Sequence, residues 1–190
     1  MNTLKNIISD YRLGLLETPN IQVVDKKLSD ETIEFPTIEF PGYRMDLTFS
    51  RSTFQKSELL NMEFINVNFE SSYFEECLIK NCVFKKVIMQ EGEVENCVFE
   101  NCEFIECKLS DWNVEKTIFN NCKFLRSSLN KSIFDSCNFG SPRFEGVQGG
   151  LIGSAVLIDS KFSNSKKSIE FEGEVYFLDI FNQINELSLE

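Results

Sequence analysis

A chain of 190 residues, 42 % hydrophobic and 26 % charged, is long enough for one domain with a real core and is ordinary for a globular protein. Its 30 acidic against 19 basic side chains give a net charge of −11, which argues against direct nucleic-acid binding, because phosphates would be repelled, and favours a basic protein partner. The absence of histidine removes the commonest general acid–base and zinc ligand, and no window approaches the roughly 18 apolar residues of a membrane span.

Residues 1–44 open the chain with Leu4, Ile7, Ile8, Tyr11 and Leu15 at the spacing of a short amphipathic helix, stopped near Gly14 or Pro19. Met1 to Leu16 lacks the uninterrupted apolar core of a signal peptide, so a cytoplasmic location is expected. Ile21 to Val24 and Thr32 to Phe35 then alternate like strands. The segment is expected to be a cap of helix plus strands outside the repeat, covering a sheet edge that would otherwise be open.

Residues 45–147 carry a strict period of five. From Phe49 through Phe54, Leu59, Phe64, Phe69 and onward to Phe144, every fifth residue is large and apolar, and the series takes up 13 of the 19 Phe. Neither a helix nor a flat strand has that period. A second series two residues ahead is small: Ser52, Ser57, Val67, Ser72, Cys77, Cys82, Val87, Gly92 and so on to Cys137, with all 7 cysteines in it. One large and one small inward residue in every five suits a narrow coil. Met62, Trp112 and Pro142 break the small-residue rule, and an indole at 112 is expected to bulge the wall or be expelled to the surface, where tryptophan serves as a binding anchor.

The pattern in Cys97-Val98-Phe99-Glu100-Asn101 followed by Cys102-Glu103-Phe104-Ile105-Glu106 resembles the pentapeptide repeat. That resemblance implies an all-β fold, a right-handed quadrilateral parallel β-helix with four pentapeptides making each square coil; the repeat is long enough for about five coils, between the mixed α/β caps expected from the residues at the two ends. Residues twenty apart should then stack in columns. Asn61, Asn81, Asn101 and Asn121 form one such column and Phe64, Phe84, Phe104, Phe124 and Phe144 another.

Residues 148–190 follow a glycine-rich break at Gly146 to Gly150. Leu151 to Ile158 and Ser168 to Val175 read as strands, and Phe177, Phe181, Ile184 and Leu187 fit one face of a C-terminal helix. Capping is one reading of this segment. The sharper one is docking or a homodimer through the C-terminal end, as the resemblance allows.

No chemistry emerges. Consecutive pentads face different sides of a coil, so the cysteines are expected to be buried, reduced small hydrophobes rather than metal ligands or a disulfide framework. No phosphate loop, nucleophile elbow or basic aromatic strip is present, so neither a cofactor, a metal nor an enzymatic activity is expected.

The outside of the coil offers a binding surface instead. Glu75, Glu95, Glu115 and Asp135 form an acidic column after Gln55, joined by Glu91 and Glu93, with Glu76, Glu100 and Glu103 nearby. Like charges one layer apart repel, so the column is expected to cost stability unless a cationic partner offsets it. Leu78, Val98 and Ile118 form an aliphatic column beside it, with Trp112 as a further candidate contact, and Ile65, Ile105 and Leu125 form a second one farther round. Acid next to aliphatic is how a face for a basic protein would look. Three readings follow: an immunity protein that neutralises a basic toxin domain such as a nuclease; a DNA mimic that binds DNA gyrase and protects it from quinolones or toxins, which the resemblance brings in; and a scaffold. An ordinary solvated glutamate surface is the bland alternative for the acidic column.

Overall fold

The computed structural model describes residues 22–24, 26–34, 38–40, 43–45, 49, 51–149, 153–164 and 166–177. The helices expected near residues 4–15 and 177–187 lie outside these, apart from Phe177.

Each pentad makes one side of a square. In strands such as Thr53–Gln55, Glu58–Leu60 and Glu63–Ile65 the middle residue is buried and its neighbours face out. The chain turns at a corner residue in the left-handed region: Arg51 at φ +58°, Lys56 at +49°, Asn61 at +53° and Asn66 at +56°, and so on every fifth residue to Ser141 at +49° and Gly146 at +59°. Its N–H donates to a carbonyl of the next coil, as from Asn61 to Lys80 at 2.9 Å. Four corners bring the chain back in register twenty residues on, Thr53 beside Tyr73 and Leu78 beside Val98.

Four faces result. Phe54, Phe74, Val94, Val114 and Phe134 line the first from inside, and Leu59, Ile79, Phe99, Phe119 and Phe139 the second. Phe64, Phe84, Phe104, Phe124 and Phe144 line the third. The fourth, with Phe49, Phe69, Met89, Leu109 and Leu129 inside, is held by single parallel bridges that run from Asn68 through Ile88, Lys108 and Ser128 to Gln148. The phenylalanines stack nearly flat, Phe84 on Phe104 at 4.9 Å and Phe104 on Phe124 at 4.8 Å, and the third-face stack continues through Phe144 to Phe162 at 4.7 Å.

The N-terminal strands belong to the ladders. Gln22–Val24, Lys27–Ser29 and Thr32–Glu34 pair in parallel with the first, second and third faces, placing Val23, Leu28 and Ile33 in register with Phe54, Leu59 and Phe64. Residues 1–44 were expected to stand outside the repeat, yet this stretch follows it. The offset is 31 residues (54 − 23) rather than 20, because the antiparallel pair Ile38–Phe40 and Tyr43–Met45 intervenes.

At the other end Val156–Ser163 bends at a bulge between Ile158 and Ser160, with Asp159 at φ +49°. Its first half extends the second face, Leu157 beside Phe139, and its second half the third, Phe162 beside Phe144. Ser168–Tyr176 then doubles back antiparallel upon it.

Trp112 neither bulges the wall nor reaches the surface. It is 1 % exposed and meets Phe99, Phe104, Phe119 and Phe134 edge-on at 5.8–6.4 Å. Room comes from Gly92 one coil away in the same column, where a Cβ would lie 3.4 Å from the Trp112 ring, and from Val94 and Val114, which stand where other coils put phenylalanine. The ladder is undisturbed, since Ile133 N–H still donates to the Trp112 carbonyl at 2.8 Å.

All 7 cysteines are free and buried. Six of the thiols donate to backbone carbonyls of the preceding coil, Cys107 to Phe84 at 3.1 Å and Cys82 to Leu59 at 3.2 Å among them, as Ser127 does to Phe104 at 3.1 Å, while the Cys97 thiol donates to the Glu95 carbonyl at 3.3 Å. Burial pushes the Cys107 thiol up to about 12 and the Cys137 thiol up to about 11.

Candidate protein-binding surface

Because strand residues alternate in and out, each face presents two outward columns with rows about 4.8 Å apart. On the first face the column after the buried residue is Gln55, Glu75, Glu95, Glu115 and Asp135, in register throughout. Glu93 lies on the same face over Tyr73, and Glu91 at the corner that leads into it. The structure therefore brings together the acidic residues singled out from the sequence, except that Glu100 pairs with Lys80 at 2.9 Å on the second face and Glu103 with Lys123 at 2.7 Å on the third.

The acidic column supplies its own donors. Gln55 Nε2 donates to Glu75, Tyr73 Oη to Glu95 at 3.2 Å and Asn96 Nδ2 to Glu95 at 3.1 Å. Lys116 pairs with Glu115, and Ser154 Oγ donates to Asp135. Burial, the Glu95 hydrogen bond and the surrounding carboxylates hold the Tyr73 hydroxyl well above its ordinary range, so it stays a donor. The expected repulsion is met inside the chain, without a partner.

Around the next corner the second face carries the aliphatic column. Leu78 and Val98 are half-buried by their neighbours, and Ile118 is 40 % exposed. The column continues beyond the repeat: Asn138 follows Ile118, Val156 lies beside Asn138, and Tyr176, 54 % exposed, lies beside Val156. Val156 and Tyr176 escape a search at twenty-residue spacing because Val156 comes 18 residues after Asn138 (156 − 138) and Tyr176 sits on a reversed strand. Trp112, grouped with this column from the sequence, lies in the core and cannot touch a partner there.

The third face and the corner beyond it are mixed. Arg126 pairs with Glu106 at 3.1 Å, Lys85 lies beside Ile105 with Lys86 at the corner after it, and Lys108 lies on the fourth face between Ile88 and Ser128. Among the described residues no group of three or more His, Cys, Asp or Glu is placed to hold a metal ion, and no helix is long and apolar enough to cross a membrane.

A large inward residue in every pentad with a small one before it in all but those of Met62, Trp112 and Pro142, a left-handed corner after each, and register restored every twenty residues define one architecture. This is a pentapeptide-repeat β-solenoid. No protein-family model matches the sequence, and no curated protein matches it significantly. Solved structures with similar chains include a fluoroquinolone resistance protein and two cyanobacterial pentapeptide-repeat proteins. Full-length QnrB1, a plasmid-mediated fluoroquinolone resistance protein, is 12 % identical with a TM-score of 0.40, covering 75 % of this chain and 84 % of its own. HetL from the cyanobacterium Nostoc sp., involved in heterocyst differentiation regulation, is 10 % identical with a TM-score of 0.23, covering 77 % and 70 %. Rfr23 from the cyanobacterium Cyanothece is 15 % identical with a TM-score of 0.22, covering 78 % and 98 %. The assignment of this pentapeptide-repeat fold rests on the chain's own columns.

Proposed function

We propose that this protein is a non-enzymatic binding protein that holds a basic protein across the corner between its first and second faces, and that the partner is a toxin domain neutralised by the contact. The observation that carries the reading is the adjacency of an acidic and an aliphatic column, parallel along the rod with common rows. Carboxylates steer a cationic surface, while Ile118 and Tyr176 offer apolar area to bury. Mimicry of duplex DNA toward a topoisomerase has less support, since Lys116 and the neutral donors Gln55, Tyr73 and Asn96 interrupt a uniform polyanion.

The test is capture from the host's lysate at moderate salt by the tagged chain and by its Glu75→Lys, Glu95→Lys, Glu115→Lys triple variant, with mass spectrometry of what is retained. All three side chains are on the surface, so the variant should fold. A toxin fragment retained by the parent and weakened at least about tenfold by the variant supports the proposal. Gyrase subunits with the same dependence would replace the toxin by a topoisomerase, and a partner held equally by both proteins would remove this face from the function.

A further inference from the structure

The rows of the second face constrain what shape of partner fits them. Leu78, Val98, Ile118, Asn138, Val156 and Tyr176 stand one per layer, in a line along the rod rather than along any strand. With rows about 4.8 Å apart the line is roughly 24 Å long. One polar row, Asn138, interrupts it.

A segment lying along this line must present apolar side chains at nearly the same interval. In an extended strand the side chains of one face recur about every 6.8 Å, so over five row intervals a strand runs out of step by about 10 Å. In an α-helix one stripe recurs every 5.4 Å, and the mismatch over the same span is about 3 Å, within the reach of side-chain rotamers. A helix of about 16 residues covers the line. Charge sets its orientation about its own axis. Beyond the corner on one side stand Glu75, Glu95, Glu115 and Asp135, with Glu76 at the corner itself, whereas on the other side Glu100 is already paired with Lys80.

We infer that the aliphatic line of the second face is a docking site for an amphipathic α-helix of the partner, laid along the rod axis with a Lys/Arg-rich flank turned toward the acidic column. This rests on the binding reading above and deepens it from a basic protein to a basic helix.

The experiment uses two labelled synthetic peptides of about 16 residues and identical composition, Leu, Lys, Gln and Ala. One places Leu at helical spacing with Lys along one flank, and the other alternates Leu with polar residues. Fluorescence anisotropy is read with the full chain and with three variants, Ile118→Gln, Tyr176→Ser and the pair Glu95→Lys, Glu115→Lys, each checked for an unchanged melting transition. The helical-period peptide should bind at least about tenfold tighter than its isomer, and each variant should weaken it several-fold. The exposed Tyr176, outside the repeat, keeps the test open if Ile118→Gln disturbs its strand. Equal binding of the two peptides, indifference to all three variants, or concealment of the line in a homodimer that Ile118→Gln dissolves would overturn the inference. Were a lysate partner to depend on the acidic column while the two peptides bound alike, the helix would fall and the binding face would stand; loss of both dependences would remove both.

Discussion

Trp112 and Gly92 act as one unit. A methyl group at 92 would lie 3.2 Å from the carbonyl oxygens of Met89 and Ser72 and 3.4 Å from the Trp112 ring, so Gly92→Ala should cost about 1–3 kcal/mol in urea unfolding. Ser52, Ser72 and Ser132 occupy the same column, so coils without an indole accept a Cβ there. The cost of Gly92→Ser should therefore be smaller by more than about 1 kcal/mol in a Trp112→Ser background, a coupling that a double-mutant cycle reads directly. The buried thiols make stability fall in alkali. Below the unfolded thiol value near 8.5, Cys107 and Cys137 are protonated in both states; above it only the unfolded chain ionises them, until the folded values of about 12 and about 11 are reached. Stability should drop from about pH 8.5 toward pH 11, and Cys107→Ser with Cys137→Ser should flatten that loss in thermal melts across the range. Of the two inward series, the large one is plain in the sequence as a period, whereas the pocket for Trp112 is not, because Gly92 precedes it by a full coil and looks like any other small residue.

The corners show what an element costs. Asn121 Nδ2 donates to Asn101 at 2.9 Å, Asn101 to Asn81 at 3.1 Å, Asn81 to Asn61 at 3.0 Å and Asn61 to Asp30 at 2.8 Å, and that last bond lowers the Asp30 pKa. Asparagine serves twice here, tolerating the left-handed corner and tying layers together. Asn101→Ala should lose about 1–2 kcal/mol, and Asn101→Gly less, since glycine keeps the corner and loses only the amide bonds. Conversely Lys86, exposed at φ +55° with no ladder of its own, should gain several tenths of a kcal/mol as Lys86→Asn, visible as a higher melting temperature. The asparagine column was legible because its members are identical at a constant spacing. The coil holding Val23, Leu28 and Ile33 was not, because its own period of five is too short to stand out and the intervening antiparallel pair shifts its register to 31.

At the scale of the molecule the acidic and aliphatic columns exist only because coils repeat, and no residue in them is near its column neighbour in sequence. Twenty-residue spacing made Glu75, Glu95, Glu115, Leu78, Val98 and Ile118 legible as lines. The donors that satisfy the acids were hidden, since Gln55, Tyr73, Lys116 and Ser154 reach them across layers, around corners and from the C-terminal segment. The constant register has a consequence for length, which the molecule should tolerate only in whole turns. Removing residues 62–81 takes out one full revolution, so Glu95 would follow Gln55 and Val98 would follow Glu58, with every later row unchanged. Removing only 102–106 would turn everything after the cut by a quarter revolution, setting Asn120 after Glu95 and Lys123 after Val98. Both deletions should leave a β-rich chain by circular dichroism, the second with a lower melting temperature because it sets Trp112 over Val87 instead of Gly92, and only the first should keep the acidic and aliphatic columns continuous. For this chain, insertions and deletions behave like steps of a ratchet, where a fourfold step restores every surface and a single step scrambles them.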